Sequence, residues 1–260
     1  MLNDFHIHSN FSDGKHSIPE IVDFYGSRGF GSIAITDHLC ESSTFLGKAA
    51  AYLDRTLTSA TFPLYLEILK SEKERAWDQY KMVLIPGFEI TKNSLFNHRS
   101  AHIIALGITD WVAADGEIET ILKNIRNQGA LTIAAHPVSN GELEKQTLHL
   151  WDQRRALAHL FDAWEVASGP KLFDAVLESG LPMIASSDLH RFSQMSSWKT
   201  VMHCERKTEA ILDSIRRQNL KFEFYQENHD RSSFPTPAIL DNRSYSHRHG
   251  NLDLVQALEW

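Results

Sequence analysis

Cysteine is scarce in this chain. Cys40 and Cys204 are its only two in 260 residues, far apart and without pattern. They cannot make a disulfide framework or a cysteine-rich zinc site, so any metal chemistry must rest on histidine and carboxylate. Long apolar runs are missing too: no stretch approaches the ~18 consecutive apolar residues of a membrane span. The opening Met1-Leu2-Asn3-Asp4-Phe5-His6-Ile7-His8 has no basic segment followed by an apolar one. No secretory leader is expected, and reduced thiols in a cytoplasmic protein are the simplest reading. Positive charge is not in excess, with 26 basic residues against 33 acidic ones and a net charge of −7. That balance argues against a general nucleic-acid coat, and no basic stripe interleaved with aromatics offers a stacking platform for a single strand. Repeats and low-complexity tracts are absent. With 42% hydrophobic and 23% charged residues the chain is neither disordered nor collagen-like. What it has in quantity is histidine, fourteen in all.

Short β-rich runs alternate with helical periodicity along most of the sequence. Strands are expected at Asp4–His8, Ser32–Thr36, Met82–Ile90, His102–Gly107, Leu131–Ala135, Ala163–Ala167 and Met183–Ser186, with a further one at Thr200–Cys204. Amphipathic helices are expected at Ile18–Arg28, Ile118–Gln128, Lys171–Glu178 and Glu209–Gln218. Gly29, Gly129 and Gly180 each follow a periodic run as a stop signal. Such alternation points to parallel βαβ units, and seven or more of them suggest a barrel in one domain spanning residues 1–260. Residues 39–81 break the rhythm. Leu64–Tyr80 reads there as a charged helix, so a helical excursion is expected. The tail from 227 to 260 reads as a surface extension.

Chemistry-bearing residues recur at strand ends. His6 and His8 stand i, i+2 in an extended segment and so face one way. Asp13-Gly14 follows in a loop. Thr36-Asp37-His38 ends an apolar strand, Pro86-Gly87-Phe88-Glu89 ends another, and His102 opens the next. Ala135-His136-Pro137 and Ser187-Asp188-Leu189-His190 complete the series. A lone histidine after a strand is usually a hydrogen-bonded structural residue, and a lone aspartate usually caps a helix. Recurrence at six strand ends makes six independent structural accidents implausible, because clustered imidazoles and carboxylates are costly unless they pair or bind metal.

In order and type these motifs resemble the PHP family, the polymerase-and-histidinol-phosphatase superfamily of metal-dependent phosphoesterases. The resemblance runs from His6 to His190 and fills all nine positions that such proteins use as metal ligands: His6, His8, Asp13, His38, Glu89, His102, His136, Asp188 and His190. It implies a distorted (β/α)7 TIM-like barrel with a trinuclear centre at its mouth. By that likeness His6, His8, Glu89 and Asp188 hold one ion, Asp13, His38 and His190 a second, and His102 and His136 a third, with Glu89 bridging. Zinc, iron and manganese all suit such a donor set. Three divalent ions outweigh three carboxylates, so the mouth is expected to be positive and to take a phosphate, with a metal-bridging hydroxide as the attacking group.

The neighbours are open either way. Asp37, adjacent to His38, is expected to brace ligands or cap a helix, with proton shuttling as the minor reading. Arg191, directly after His190, either clamps a substrate phosphate bidentately or lies solvated on the rim. Arg99, His98, Lys15 and His16 are equally divided between the mouth and solvent. Glu165 resembles a barrel-interior acid of the family and reads as structural. His149, His159, His203, His229, His247 and His249 have no patterned partners.

The reading is a hydrolase of a small phosphate monoester. One alternative is a nucleotide or oligonucleotide phosphoesterase or exonuclease, which the short His102–His136 spacing disfavours. Others are a non-catalytic PHP scaffold, which should have lost ligands, and metal-assisted C–N hydrolysis, which the ligand order fits less well. A small phosphorylated substrate is the expected partner, and no membrane. The oligomeric state is not legible.

Overall fold

The structure is a computed structural model that describes residues 1–94, 99–138, 147–227 and 239–241. Its strands are β1 (Leu2–Asp4), β2 (Ser32–Ile35), β3 (His38–Cys40), β4 (Val83–Lys92), β5 (Ala101–Leu106), β6 (Leu131–Ala134), β7 (Ala163–Ser168), β8 (Lys171–Leu172), β9 (Met183–Ser186), β10 (Ser197–Met202), β11 (Leu220–Tyr225) and β12 (Ile239–Asp241). The helices are α1 (Ile18–Gly26), α2 (Phe45–Tyr52), α3 (Phe62–Tyr80), α4 (Ile118–Asn127), α5 (His149–Asp152), α6 (Arg154–Leu157), α7 (Asp174–Leu177) and α8 (Thr208–Arg216).

One curled sheet runs in the order β12-β11-β10-β1-β2-β4-β5-β6-β7-β8, with β3 beside β4 and β9 beside β7. β2, β6 and β9 are buried along their whole length, as strands covered on both faces must be. The helices close the outer face. Ser17 and Glu20 form a reciprocal capping box that starts α1, and Ile18, Ile21, Val22 and Tyr25 turn inward. Ile118, Ile121, Leu122 and Ile125 do the same for α4. Tyr65 of α3 is buried and donates its hydroxyl to the carbonyls of Ile35 (3.0 Å) and Gly87 (2.8 Å), tying that helix to β2 and β4.

Several expectations are corrected. The sheet is not all parallel: β5 runs antiparallel to both β4 and β6. The link from β4 to β5 is too short for a crossover helix, so the chain must turn straight back. β1 ends at Asp4, and beyond it only Ile7 pairs, with Leu189 in a parallel bridge. The helix expected at Lys171–Glu178 is instead the short β8 followed by the single turn of α7. The strand expected at Thr200 begins at Ser197. Residues 39–81 carry β3, α2 and α3. Of the extension from 227 onward, only Glu227 and β12 lie within the described residues.

Among the described residues no helix is long and apolar enough to cross a membrane.

Candidate metal centre

Each motif reaches the same mouth by a different route. His6 and His8 flank the bridged Ile7, so both rings turn to one side, fully buried, with centroids 5.0 Å apart. Glu89 lies within β4 with the same orientation and is fully buried. His38 opens β3 directly opposite Glu89. His102 stands near the start of β5, and because that strand is antiparallel, its beginning lies where the neighbouring strands end. His136, Asp188 and His190 follow β6 and β9, and Asp13 sits in the loop before α1. His6, His8 and Glu89 form the floor, and the other six groups, half-buried, form the wall.

The Glu89 carboxylate is the meeting point. Its Oε1 lies 3.0 Å from His102 Nδ1, 3.3 Å from His136 Nε2 and 3.5 Å from His6 Nε2. Its Oε2 lies 2.6 Å from His38 Nδ1 and 3.7 Å from His8 Nε2. Asp188 Oδ1 is 3.4 Å from His6 Nε2 and 3.2 Å from His8 Nε2. Asp13 Oδ1 is 3.0 Å from His190 Nε2, 3.6 Å from His38 Nε2 and 3.9 Å from His8 Nδ1.

Three imidazoles, His6, His136 and His190, share one orientation. His6 Nδ1 donates to Glu165 Oε1 at 2.9 Å, and His190 Nδ1 donates to the Asp188 carbonyl at 3.0 Å. The Thr91 hydroxyl donates to the Glu89 carbonyl and accepts from His38 Nδ1 at 2.8 Å. Thr147 does likewise for His136, with Nδ1 at 3.1 Å. In His6, His136 and His190 the protein holds Nδ1 and leaves Nε2 facing the cluster, as outer partners do for metal-binding histidines, whereas His38 turns Nδ1 to Glu89 as well as to Thr91 and Nε2 to Asp13. His102 is reversed, with Nε2 3.3 Å from Asn93 Oδ1 and Nδ1 toward Glu89.

Ligand-type atoms are left without partners at the centre. His6 Nε2, both nitrogens of His8, Asp13 Oδ1 and Glu89 Oε2 are buried and make no hydrogen bond. Buried polar atoms are rarely orphaned unless something else satisfies them. Lone pairs converging from imidazoles and carboxylates fit divalent cations. Four sets bring their atoms within 4.8 Å of one another: His8, Asp13, His38 and His190; His6, His136 and Asp188; His6, His8 and Glu89; and His38, Glu89 and His102. Together they include all nine residues expected from the sequence. They divide them differently from that expectation, joining His136 to His6 and Asp188, and His102 to His38.

Without metal the cluster is electrostatically strained. Burial is the largest influence on Glu89 and pushes its pKa up, yet His102, His38 and His6 together hold it well below the carboxylate range. Burial lowers His8 to about 3, helped by His190 and His38. For His190 burial is outweighed by the neighbouring Asp13 and Asp188 carboxylates, which raise it to about 9. For His6 burial is likewise overcome, by Asp188, Glu165 and Glu89, and its pKa rises. The backbone is strained as well: His136 has φ +29° and Asp188 φ +53°, conformations that cost about 1–3 kcal/mol each. The His136 N–H donates to Glu165 Oε2 at 2.7 Å.

The remaining expected residues lie outside the cluster. Asp37 turns away: it accepts from Ser9 N–H (2.8 Å), Ser9 Oγ (2.6 Å) and Ser12 Oγ (2.6 Å), which fixes the loop from His8 to Asp13. Lys15, Arg99 and Arg191 are exposed. Arg99 borders a cavity of about 560 Å³ with Lys92, Glu117 and His149. His98 lies outside the described residues. Sequence reasoning missed Thr91, Asn93 and Thr147. Thr91 carried a signal, standing two residues after Glu89 on the same strand face; Thr147 carried none.

The sequence pattern of the PHP domain matches residues 4–136, just over half of the chain. The chain belongs to the PHP domain family. Asp188 and His190 lie beyond the matched stretch, and the fold alone brings them to the other seven groups. Among solved structures, this PHP chain is similar to a two-domain protein of Bacteroides vulgatus containing a predicted PHP-like metal-dependent phosphoesterase. The identity is 21%, the TM-score 0.68, and the match covers 86% of this chain and 65% of that one. The present chain thus spans less than two thirds of that relative. A protein of Bifidobacterium adolescentis assigned as a metal-dependent phosphoesterase overlaps more loosely, at 15% identity, TM-score 0.45, and 73% and 87% of the two chains. An amidohydrolase of Chromobacterium violaceum overlaps at 17% identity, TM-score 0.43, and 72% and 87%. No curated protein matches the chain by sequence.

Proposed function

We propose that this PHP domain is a metal-dependent phosphoesterase that hydrolyses a small phosphate monoester, using three divalent ions held by His6, His8, Asp13, His38, Glu89, His102, His136, Asp188 and His190. The observation that carries the reading is the shared orientation of His6, His136 and His190. Each is fastened at Nδ1 and presents Nε2 to a group of buried atoms without hydrogen bonds. A structural histidine cluster would satisfy its atoms internally. When bound, zinc, manganese or iron ions supply Lewis acidity at phosphoryl oxygens and a water ionised near neutrality. The chain's own residues do the rest. Glu89 joins the donor sets, Glu165 and the two threonines fix ring orientation, and Asp37 fixes the loop that carries Asp13. Lys15 and Arg191 stand on the rim, where an anionic ester enters, and Arg191 offers a bidentate fork to its phosphate.

In the same reading the curled sheet is the distorted seven-stranded barrel of the family, formed by β1, β2, β4, β5, β6, β7 and β9 and completed by the Ile7–Leu189 bridge. Residues 1–260 are read as one PHP domain with an excursion at 39–81 and an extension at 227–260.

A panel of phosphate esters assayed with manganese, zinc or iron tests the proposal. Release of phosphate from p-nitrophenyl phosphate and small sugar or amino-alcohol phosphates is expected. Activity confined to nucleotides or oligonucleotides would replace the substrate assignment.

A further inference from the structure

Lys199, in β10, is fully buried. Its Nζ lies 2.9 Å from Asp4 Oδ2 and donates to Ser197 Oγ at 2.5 Å. Asp4 is equally buried. Its Oδ2 also accepts the Tyr25 hydroxyl at 2.8 Å, and its Oδ1 accepts the Ser187 N–H at 2.9 Å. A buried ion pair adds little stability over apolar packing, so its presence asks for another reason. That reason is visible at Ser187. The next residue is Asp188, whose backbone has φ +53°, and whose carboxylate faces His6 and His8. The segments that follow β1 and β9 are stitched together: Ser187 Oγ and Leu189 N–H both donate to the His6 carbonyl, at 3.3 Å and 3.1 Å, and His8 N–H donates to the Leu189 carbonyl at 2.8 Å. Asp4 stands two residues before His6, so the residue that anchors the turn belongs to the segment that carries the two histidines.

We infer that Lys199 and Asp4 are a positioning pair for the metal centre: the ammonium balances the Asp4 charge inside the protein, and Asp4 holds the Ser187 N–H so that Asp188 keeps its left-handed turn and its aim at His6 and His8. The inference rests on the reading of Asp188 as a metal ligand. The pair touches neither metal nor substrate and acts through one peptide N–H.

The test uses the whole chain and two readouts: amide exchange of the metal-free protein, and Zn²⁺ affinity by competition with a chelator. In Lys199→Met the Ser187 and Leu189 amides should exchange about tenfold faster or more while β5 amides are unchanged. Zn²⁺ affinity should fall about 10–100-fold. The double variant Asp4→Asn with Lys199→Met keeps an oxygen for the Ser187 N–H and leaves no charge to balance, so it should recover affinity to within about threefold of the parent. A merely structural pair would lower the melting temperature while Ser187 exchange and Zn²⁺ affinity stayed at parental values, and that result overturns the inference. If Lys199→Met does not fold, Tyr25→Phe, which removes one donor to Asp4, should move both readouts in the same direction by about threefold; parental values there also overturn it. A parent chain that takes up no Zn²⁺ would remove the metal-centre reading, whereas Ser187 exchange would still show whether the pair holds the turn.

Discussion

The Glu165 carboxylate accepts the His6 Nδ1 proton at 2.9 Å, and this contact decides that His6 faces the cluster through Nε2. The other oxygen of Glu165 holds the His136 N–H at 2.7 Å, where the backbone has φ +29°. One buried acid thus orients one ring and restrains the strained backbone of another. Glu165→Gln offers one acceptor where two are used, and turns an amide donor toward a donor. Metal affinity should fall about 10–100-fold, checked by chelator competition, with Glu165→Ala at least as weak.

Glu89→Gln removes the charge that meets His6, His8, His38, His102 and His136. Losing one partner of a buried charged cluster costs about 3–5 kcal/mol. The variant should therefore melt earlier when metal-free, bind fewer ions per chain and lose phosphatase turnover. Calorimetry and elemental analysis check these outcomes.

Gly14→Ala tests the loop rather than a ligand. A Cβ at position 14 would lie 2.2 Å from the His8 carbonyl oxygen and 2.7 Å from that of Ser9, both backbone atoms. The loop must shift, moving Asp13 from His190 and His8. Metal affinity should drop about tenfold or more, with a smaller loss in melting temperature. Unchanged affinity would show that Asp13 does not depend on this close approach.

The pH dependence has a definite sign. In the metal-free chain His190 is raised to about 9, against burial, by Asp13 and Asp188, and His6 and His136 are raised as well. A raised histidine stabilises the fold fully below its unfolded pKa of about 6.5, and that contribution is lost as pH climbs to about 9. The metal-free protein should therefore lose melting temperature between pH 6.5 and 9. Ions must displace those protons to bind, so affinity should rise over the same window, with at least about one proton released per chain at pH 7. Calorimetry in buffers of different ionisation enthalpy measures that release.

Much of this was legible in the sequence because strand ends are marked twice, by apolar runs such as Ile33-Ala34-Ile35 and by the polar residue that follows. The position of His102 was legible, but the reversal of β5 was not: periodicity carries no strand direction, and only the short link from Lys92 to Ala101 hinted at it. β3 and β8 escaped because His38–Cys40 and Lys171–Leu172 are too short for a period to show. β11 was readable in the alternation of Leu220, Phe222 and Phe224 and was missed. The nine candidate ligands follow from residue type and order. Of their outer partners Asp37 and Glu165 were legible as supporting acids, whereas Thr147 and Lys199 were not, since they act across distances in sequence that only the fold closes.

The most direct measurement of the central claim is the metal content of the chain purified without added metal, read beside its phosphatase activity before and after chelation. The account predicts three zinc, manganese or iron ions per chain, loss of p-nitrophenyl phosphate hydrolysis on chelation, and recovery when one of those ions is returned. His136→Ala should carry fewer ions and stay inactive. A chain that binds no metal after incubation with each ion, or one that hydrolyses the ester equally well in excess chelator, would contradict it.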